Sequence, residues 1–458
     1  MKINKKLIEK YNKPVPRYTS YPPANYFVDD FGSDKAIELI KESNFRDPQN
    51  ISVYIHIPFC KRMCFYCGCN SCPMANNDEI KHYMSSLTKE IELVIPLLDK
   101  KRKISQIHYG GGTPNSIDSK YIREINQLFF DNFDFIEQPE IAIECHPGYL
   151  DYHYIDQLKE SGFNRFSLGI QDFDSKVLNF INRTEPLYPI HDLVDYIRSD
   201  KGISVNLDFI YGLPGQSADS FQQAIEQAID LRPDRLVTFS YAHVPWVNKN
   251  QKILEKRGLP SADEKIQMFE NAYNLLTQNK YQMIGMDHYV CKDDELYQAQ
   301  MNHELHRNFQ GYCTRRTTGQ VYAFGVSAIS QLHQGYFQNH KTINNYILSI
   351  EEGKFPAQKG YVLNETEVII REVIVEFMCN KLLDISSLSS KLNLSPSKIS
   401  ESLTFNEEKL ANFEMDGIIT RKGQNLYITE EGLLFIRDVA ASLDPLMNSR
   451  TQSFSKSV

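Results

Sequence analysis

Three cysteines in the order C-x3-C-x2-C, Cys60, Cys64 and Cys67, follow directly on the apolar run Tyr54-Ile-His-Ile-Pro-Phe59. Thiols this close together are not scattered core residues, yet they are one short of the four ligands that close a structural zinc or an ordinary iron–sulfur site. A three-thiolate site keeps one coordination position open, and that is where chemistry happens. Zinc completed by Cys69, Cys72 or His56 is one alternative. A redox dithiol at Cys64 and Cys67 is another, but it leaves Cys60 without a role. A thiolate every two or three residues on one short loop fits the separate irons of a cluster better than one tetrahedral ion.

The elements that must position this loop are legible on both sides of it. From about residue 50, apolar runs alternate with amphipathic stretches. The pattern predicts strands at 53–57, 106–109, 140–144, 165–171, 205–211 and 235–241, with helices between them at 78–98, 120–130, 155–161 and 217–231. Strand and helix repeated about six times is the pattern of a parallel sheet with right-handed crossovers, and six units predict a partial (β/α)6 barrel. Such barrels carry their active sites at the C-terminal ends of the strands. Polar and glycine residues fall there repeatedly: Cys60, Gly110-Gly111-Gly112-Thr113, Glu144, Gln171, Asp208 and Ala242-His243. Their placement predicts one shared mouth.

The flanking segments read as four parts in all: an N-terminal arm over 1–45, the barrel over 46–260, an extension with substrate-site elements over 261–360, and a helical cap over 361–458. The stretch 14–23 holds Pro14, Pro16, Pro22 and Pro23 with Tyr18 and Tyr21, which excludes a helix or central strand and suggests an arm laid across another surface. Beyond 260 the pattern predicts a helix at 262–276, a strand at 281–289, a long polar connection carrying His306-Arg307-Asn308-Phe309, and an apolar strand or turn at 321–329. The last hundred residues predict an amphipathic helix at 366–382, shorter helices at 385–392 and 397–403, and a hairpin turning at Gly423. That order suggests a winged-helix-like unit. Residues 385–445 nevertheless carry six Lys or Arg against nine Asp or Glu, which points to a cap and away from a phosphate-binding surface.

Whole-chain properties agree. The 458 residues carry a formal charge of −8, which disfavours nucleic acid as a general partner. Nine cysteines, five of them between Cys60 and Cys72, suit a reducing compartment. The N-terminus has no apolar signal core and no window approaches a membrane span, so a cytoplasmic protein is expected.

The cysteine loop, with Tyr66 just before its last thiol, resembles the radical S-adenosylmethionine (SAM) enzymes. The blocks P-R-Y-T-S-Y-P at 16–22, Y-I-H-I-P-F-C-K-R-M-C-F-Y-C-G-C-N at 54–70, G-G-G-T-P at 110–114, G-F-N-R-F-S-L-G-I-Q-D-F at 162–173, D-F-I-Y-G-L-P at 208–214, Y-A-H-V-P at 241–245, G-M-D-H at 285–288, H-R-N-F-Q-G-Y at 306–312, G-V-S-A-I-S at 325–330 and the F-S-K ending are similar to those of the oxygen-independent coproporphyrinogen III oxidases. The resemblance covers nearly the whole chain. It implies a [4Fe–4S] cluster on Cys60, Cys64 and Cys67, with SAM chelating the fourth iron and a second SAM beside the first. The matching positions are Tyr54, Gly111, Glu144 and Ile329 for one SAM, and Tyr66, Gly112, Thr113, Gln171, Arg183, Asp208 and Ala242 for the other. It further implies reductive cleavage of SAM, hydrogen abstraction from a propionate β-carbon, and loss of CO2 from two propionates to give protoporphyrinogen IX.

No catalytic residue beyond the cluster and SAM is assigned. Coproporphyrinogen III is a tetracarboxylate, and Arg17, Arg165, Arg183, His288 and Arg307 are the candidate cations for it. An external low-potential electron donor and a monomeric chain are expected. A haem chaperone and a haem-degrading radical SAM methyltransferase share the cluster motif and are the alternatives. The 16–22 arm, Arg183 and G-M-D-H favour the oxidase. Cys145-His146 departs from the expected apolar residue and acid, Cys69 matches a family cysteine that is not a ligand, and Cys72 has no assigned role.

Overall fold

The computed structural model describes residues 4–246, 248–314, 320–448 and 454, so the F-S-K ending beyond Phe454 lies outside the described residues. The chain forms two compact units. One comprises Val28–Asn279 with the chain from Gln320 to Tyr361; the other comprises Asn4–Phe27, Lys280–Thr314 and the chain from Val362 onward.

The first unit is built on six parallel strands in sequential order: β1 (Ile51–Ile57), β2 (Ile104–Gly111), β3 (Phe135–Cys145), β4 (Arg165–Gln171), β5 (Ser204–Tyr211) and β6 (Arg235–Ser240). This is the expected partial (β/α)6 barrel. Alternation sorts the two faces of each strand. In β1, Val53, Ile55 and Ile57 are buried in the apolar layer, while Ser52 donates to Gln106 Oε1 at 2.9 Å and Tyr54 and His56 carry the hydrogen bonds described below. Most helices between the strands start at side-chain caps, the exception being Ile190–Ile197, which follows Pro189. Asn76 and Ser217 each form a reciprocal capping box, opening Asn77–Val94 and Ala218–Asp230.

The 321–329 segment is more than a cover for the core. Val321–Phe324 forms β7, which pairs parallel to β1, and the chain then turns so that β8 (Ile329–Leu332) runs antiparallel to it. Two further strands, β9 (Gly335–Asn339) and β10 (Ala357–Val362), and the short strand Val28–Asp29 extend that edge.

The second unit is mostly helical with small hairpins, and here the expectations need three corrections. The segment 281–289 is a hairpin, Gln282–Ile284 against His288–Val290. Gly285 turns it with φ +58°, and the Tyr312 ring lies 1.8 Å from where a Cβ would stand, so only glycine fits. The supposed polar connection contains a strand, Leu305–Arg307, paired with Tyr312–Thr314. The helix expected to be amphipathic runs Glu365–Asn380 and is buried on every side from Ile369 to Asn380. The winged-helix-like end follows the expectation, with helices Ile385–Leu392, Pro396–Ser402 and Glu407–Met415 and a hairpin Ile419–Lys422 against Asn425–Ile428. The proline-rich arm is ordered: Tyr18 and Tyr21 are buried and both donate to the Asp444 carboxylate, at 2.9 and 3.0 Å. No helix among the described residues is long and apolar enough to cross a membrane.

Candidate active site at the thiol loop

Each of the three thiols meets its own hydrogen-bond donor. Thr113 Oγ1 donates to Cys60 Sγ at 3.4 Å, Arg183 Nη1 to Cys64 Sγ at 3.6 Å, and the Cys69 N–H to Cys67 Sγ at 3.4 Å. Donors aimed at sulfur favour thiolate, the form that binds metal. Burial pushes the Cys60 and Cys64 thiols up, against the pull of Thr113 and Arg183. Cys67 is lowered to about 6, chiefly by hydrogen bonding from Cys69 and in spite of its burial. Among the described residues no three His, Cys, Asp or Glu side chains gather around a single ion. A thiolate set of this chemistry fits an iron–sulfur cluster, whose irons are each held separately.

The glycine run that ends β2 packs against this loop so tightly that it admits no side chain. A Cβ on Gly110 would stand 2.8 Å from Glu144 Oε1, and one on Gly111 2.8 Å from the His56 ring. One on Gly112 would stand 2.5 Å from the Pro58 carbonyl oxygen and 3.0 Å from Cys60 Sγ. Around that run, Tyr54 Oη and His56 Nδ1 lie 3.2 Å apart, His56 Nε2 reaches the Asn70 carbonyl oxygen at 2.9 Å, and His108 Nε2 pairs with Glu144 Oε1 at 3.1 Å. Tyr54 and His108 stack with centroids 6.0 Å apart.

On the other side of the mouth, the buried Arg183 guanidinium donates to the Gly169 carbonyl oxygen and, at 3.4 Å, to Tyr66 Oη. Burial works against its charge, but Tyr66 and Cys64 outweigh it and hold the arginine above its ordinary pKa. Gln171 closes β4 in the left-handed region, φ +70°, a conformation costly for a side chain and typical of functional sites. Asp208 accepts from Ser167 Oγ at 2.9 Å. Ala242 and Tyr66 are tied together by Gln251, whose Nε2 donates to both carbonyl oxygens, at 3.3 and 2.9 Å. Ile329 opens β8 directly after the turn 325–328.

The second unit holds a separate knot of cations. Arg307 Nη1 donates to the Arg17 carbonyl oxygen at 3.0 Å, while its buried Nε has no hydrogen-bond partner among the described residues. Asp287 and His288 are paired at 2.7 Å. Asp287 stays below the usual carboxylate range: burial opposes this, but His288 and then Arg307 outweigh it. Arg437 donates to the Pro16 and Val15 carbonyl oxygens, and it is lowered to about 9 by burial and then by the positive field of Arg17.

The Radical SAM superfamily signature matches residues 54–228. The oxygen-independent coproporphyrinogen III oxidase of a Synechocystis strain is 38% identical over 461 residues, covering 100% of this chain and 98% of that protein. The chain belongs to this oxidase family. The Escherichia coli oxidase is 36% identical over 453 residues, covering 98% of this chain and 97% of its own. The solved structure of coproporphyrinogen III oxidase from Escherichia coli, described as a radical SAM enzyme, superposes with a TM-score of 0.87 at 34% identity. It covers 97% of this chain and 99% of that one. A radical SAM oxidase implies a [4Fe–4S] cluster and SAM, and the three thiols have the donor set such a cluster needs.

For a member of the coproporphyrinogen oxidase family, one candidate contact has to be corrected. Arg165 does not face the mouth. It opens β4 six residues before Gln171, about 20 Å away at strand spacing. There Arg165 Nε donates to Glu140 Oε2 at 2.7 Å and Nη1 to Asn206 at 2.9 Å, while Gln106 Nε2 donates to Glu140 Oε1 at 2.7 Å. These residues form a polar floor to the barrel. Several positioning residues were missed by sequence reasoning. His108 stands two residues before Gly110 and so on the same strand face, a signal that alternation offered. Gln251 and Arg437 had none, because their partners are distant in sequence. At Cys145-His146, His146 Nδ1 accepts from the Gly148 N–H at 3.0 Å, and its ring stacks on Tyr149. Burial, then Arg183, lowers it to about 2, so it is neutral. Cys69 meets Cys67 through its backbone N–H, and the backbone of Cys72 pairs with that of Phe59 in a two-residue parallel ladder.

Proposed function

We propose that this chain carries out the radical SAM oxidative decarboxylation of two propionate side chains of coproporphyrinogen III, giving the two vinyl groups of protoporphyrinogen IX. What carries the reading is the full-length likeness to relatives of that name, on a chain whose Cys60, Cys64 and Cys67 thiols each receive a hydrogen bond. Those three residues would hold the [4Fe–4S] cluster. Tyr54, Gly111, Glu144 and Ile329 would line one SAM. Tyr66, Gly112, Thr113, Gln171, Arg183, Asp208 and Ala242 would line a second. When bound, the cluster and SAM supply one-electron reductive cleavage and abstraction of a hydrogen atom from a propionate β-carbon.

The protein's own residues bind and orient. Gly111 and Gly112 bring backbone where a side chain would block a ligand's approach. Glu144, held by His108, offers a carboxylate on one side of the mouth, and Arg183 a guanidinium on the other. Arg17 and Arg307, with Arg437 added to them, give a polycarboxylate the local cations that an acidic chain otherwise lacks, and the free Nε of Arg307 is a donor waiting for an acceptor. His288, oriented by Asp287, is a further contact. Arg165 is withdrawn from this set because Glu140 already occupies it. The reading carries with it an external low-potential electron donor and a chain that acts as a monomer.

The test is anaerobically reconstituted protein with SAM, a reductant and coproporphyrinogen III. Release of CO2 with vinyl products is expected. SAM cleavage only when haem is supplied would replace the reading with a haem-degrading methyltransferase, and haem binding without turnover would replace it with a chaperone.

A further inference from the structure

We propose that the outer side of the cysteine loop is a docking surface for an acidic protein that carries a low-potential one-electron centre. The inference rests on the reading that Cys60, Cys64 and Cys67 hold the cluster.

Local charge is the first argument. The whole chain carries 50 Lys or Arg against 58 Asp or Glu, yet residues 59–72 and 248–258 together carry six against one. The single acid, Glu255, is already paired with His243 at 2.8 Å. Lys61, Arg62, Lys252, Lys256 and Arg257 are all exposed, and among the described residues none of them is paired with a carboxylate.

These two segments are one surface. Asn248 Nδ2 donates to the Cys67 carbonyl oxygen and Gln251 Nε2 to that of Tyr66, so the basic segment grips the loop itself. The Arg257 guanidinium lies 5.2 Å from the Phe65 ring centroid and 5.8 Å from that of Phe180, while Arg62 Nε donates to Asn182 at 2.8 Å. The loop reaches solvent here, with Gly68, Cys69 and Asn70 all exposed.

An aromatic anchor stands on the same segment. Trp246, the one tryptophan in the chain, is 73% exposed, two residues before the Asn248 that holds Cys67. An exposed tryptophan a few residues from the exposed Lys252, Lys256 and Arg257 in the chain has the composition of a protein–protein hot spot, whereas a small reductant needs no such area. The exposed cations of the two segments steer an acidic partner and speed encounter by roughly 10- to 1,000-fold. In the step served, the carrier's reduced centre loses one electron and the cluster gains it, with no atom or proton exchanged.

The test uses the reconstituted full-length chain mixed anaerobically with a purified, reduced flavodoxin of net negative charge, following cluster reduction by absorbance and by electron paramagnetic resonance. The expected rate constant falls with added salt. It drops at least tenfold at low salt in the triple variant Lys61→Glu, Lys252→Glu, Lys256→Glu, and the two proteins converge at high salt. Trp246→Ala slows reduction at every salt concentration. Dithionite, which needs no docking, reduces the cluster to the same extent in all variants. Equal flavodoxin rates in wild type and triple variant, or a wild-type rate insensitive to salt, overturn the docking surface and leave the functional reading standing. A wild-type chain in which dithionite reduces no cluster overturns both.

Discussion

Gly112 and Gly68 lie near the same thiols but face different neighbours, and the difference sets up a paired substitution. A Cβ on Gly112 would stand 2.5 Å from the Pro58 carbonyl oxygen and 3.0 Å from Cys60 Sγ, where ordinary contact begins at 3.4 Å. The deficit against Pro58 is therefore 0.9 Å, and the obstructing atom is backbone that cannot rotate away. Gly112→Ala must push the glycine run and the Pro58–Cys60 strand apart, an overpacking that costs about 1–3 kcal/mol. A metal–thiolate bond is about 2.3 Å long and tolerates a few tenths of an ångström. A shift of Cys60 approaching the full deficit therefore breaks ligation. At Gly68, between Cys67 and Cys69, a Cβ meets nothing within 4 Å and the backbone is not left-handed, so Gly68→Ala is neutral or slightly stabilising. The assay is iron and sulfide content after anaerobic reconstitution, with the resonance spectrum of the reduced cluster and chemical unfolding. Loss of cluster and stability in Gly112→Ala alone is expected. Wild-type iron content and stability in Gly112→Ala, or equal damage in Gly68→Ala, refutes the reasoning.

Two further substitutions probe buried carboxylates of opposite sign. Arg165→Met strips Glu140 of its nearer cation and should cost about 2–4 kcal/mol at pH 7, less than a fully broken pair because Gln106 and, at 3.8 Å, Arg235 remain. Glu140 is lowered to about 2, its burial outweighed by Arg165 and Arg235. Its contribution is therefore present above the unfolded carboxylate range and lost as pH falls toward 2, so the gap between variant and wild type in urea unfolding should hold from pH 7 to about pH 5 and narrow below it, toward pH 2. A substrate KM effect with unchanged stability would instead return Arg165 to the substrate site. Glu90 is raised to about 7 by burial, although Tyr346, the Gly325 N–H and Asn339 all donate to it. Here the folded chain holds its proton longer, so wild-type stability declines as pH climbs from the unfolded value to 7, by about 3 kcal/mol at most. Glu90→Gln removes that slope, and unfolding across the same pH range measures it. An unchanged slope in the variant sinks the assignment.

The polar strand ends were legible because a (β/α) pattern has a fixed polarity: once β1 to β5 are placed by their apolar periodicity, Gly110–Thr113, Glu144, Gln171 and Asp208 must share one end. The same logic misled at Arg165, whose place in a matched block said nothing about which end of the strand it occupies. Gly285 marked a turn inside 281–289, yet the apolar residues around it read equally well as one continuous strand. The Glu365–Asn380 helix looked amphipathic because Glu367, Arg371, Glu372 and Glu376 recur at polar spacing, but the last three are buried. Periodicity counts residue types and cannot see a partner supplied from elsewhere in the chain.

By itself the sequence determined the thiol spacing, the order of strands and helices, and the glycines that let backbone close on Cys60, since each depends on residues adjacent in the chain. Only the tertiary structure decided which charges meet. Arg183 reaches Cys64 across 119 residues, His108 meets Glu144 across 36, and Arg307 meets the Arg17 carbonyl across 290. A thiolate, a buried guanidinium or a carboxylate acquires its protonation and its reach from such neighbours, and folding brings them together only after the loops between them have closed.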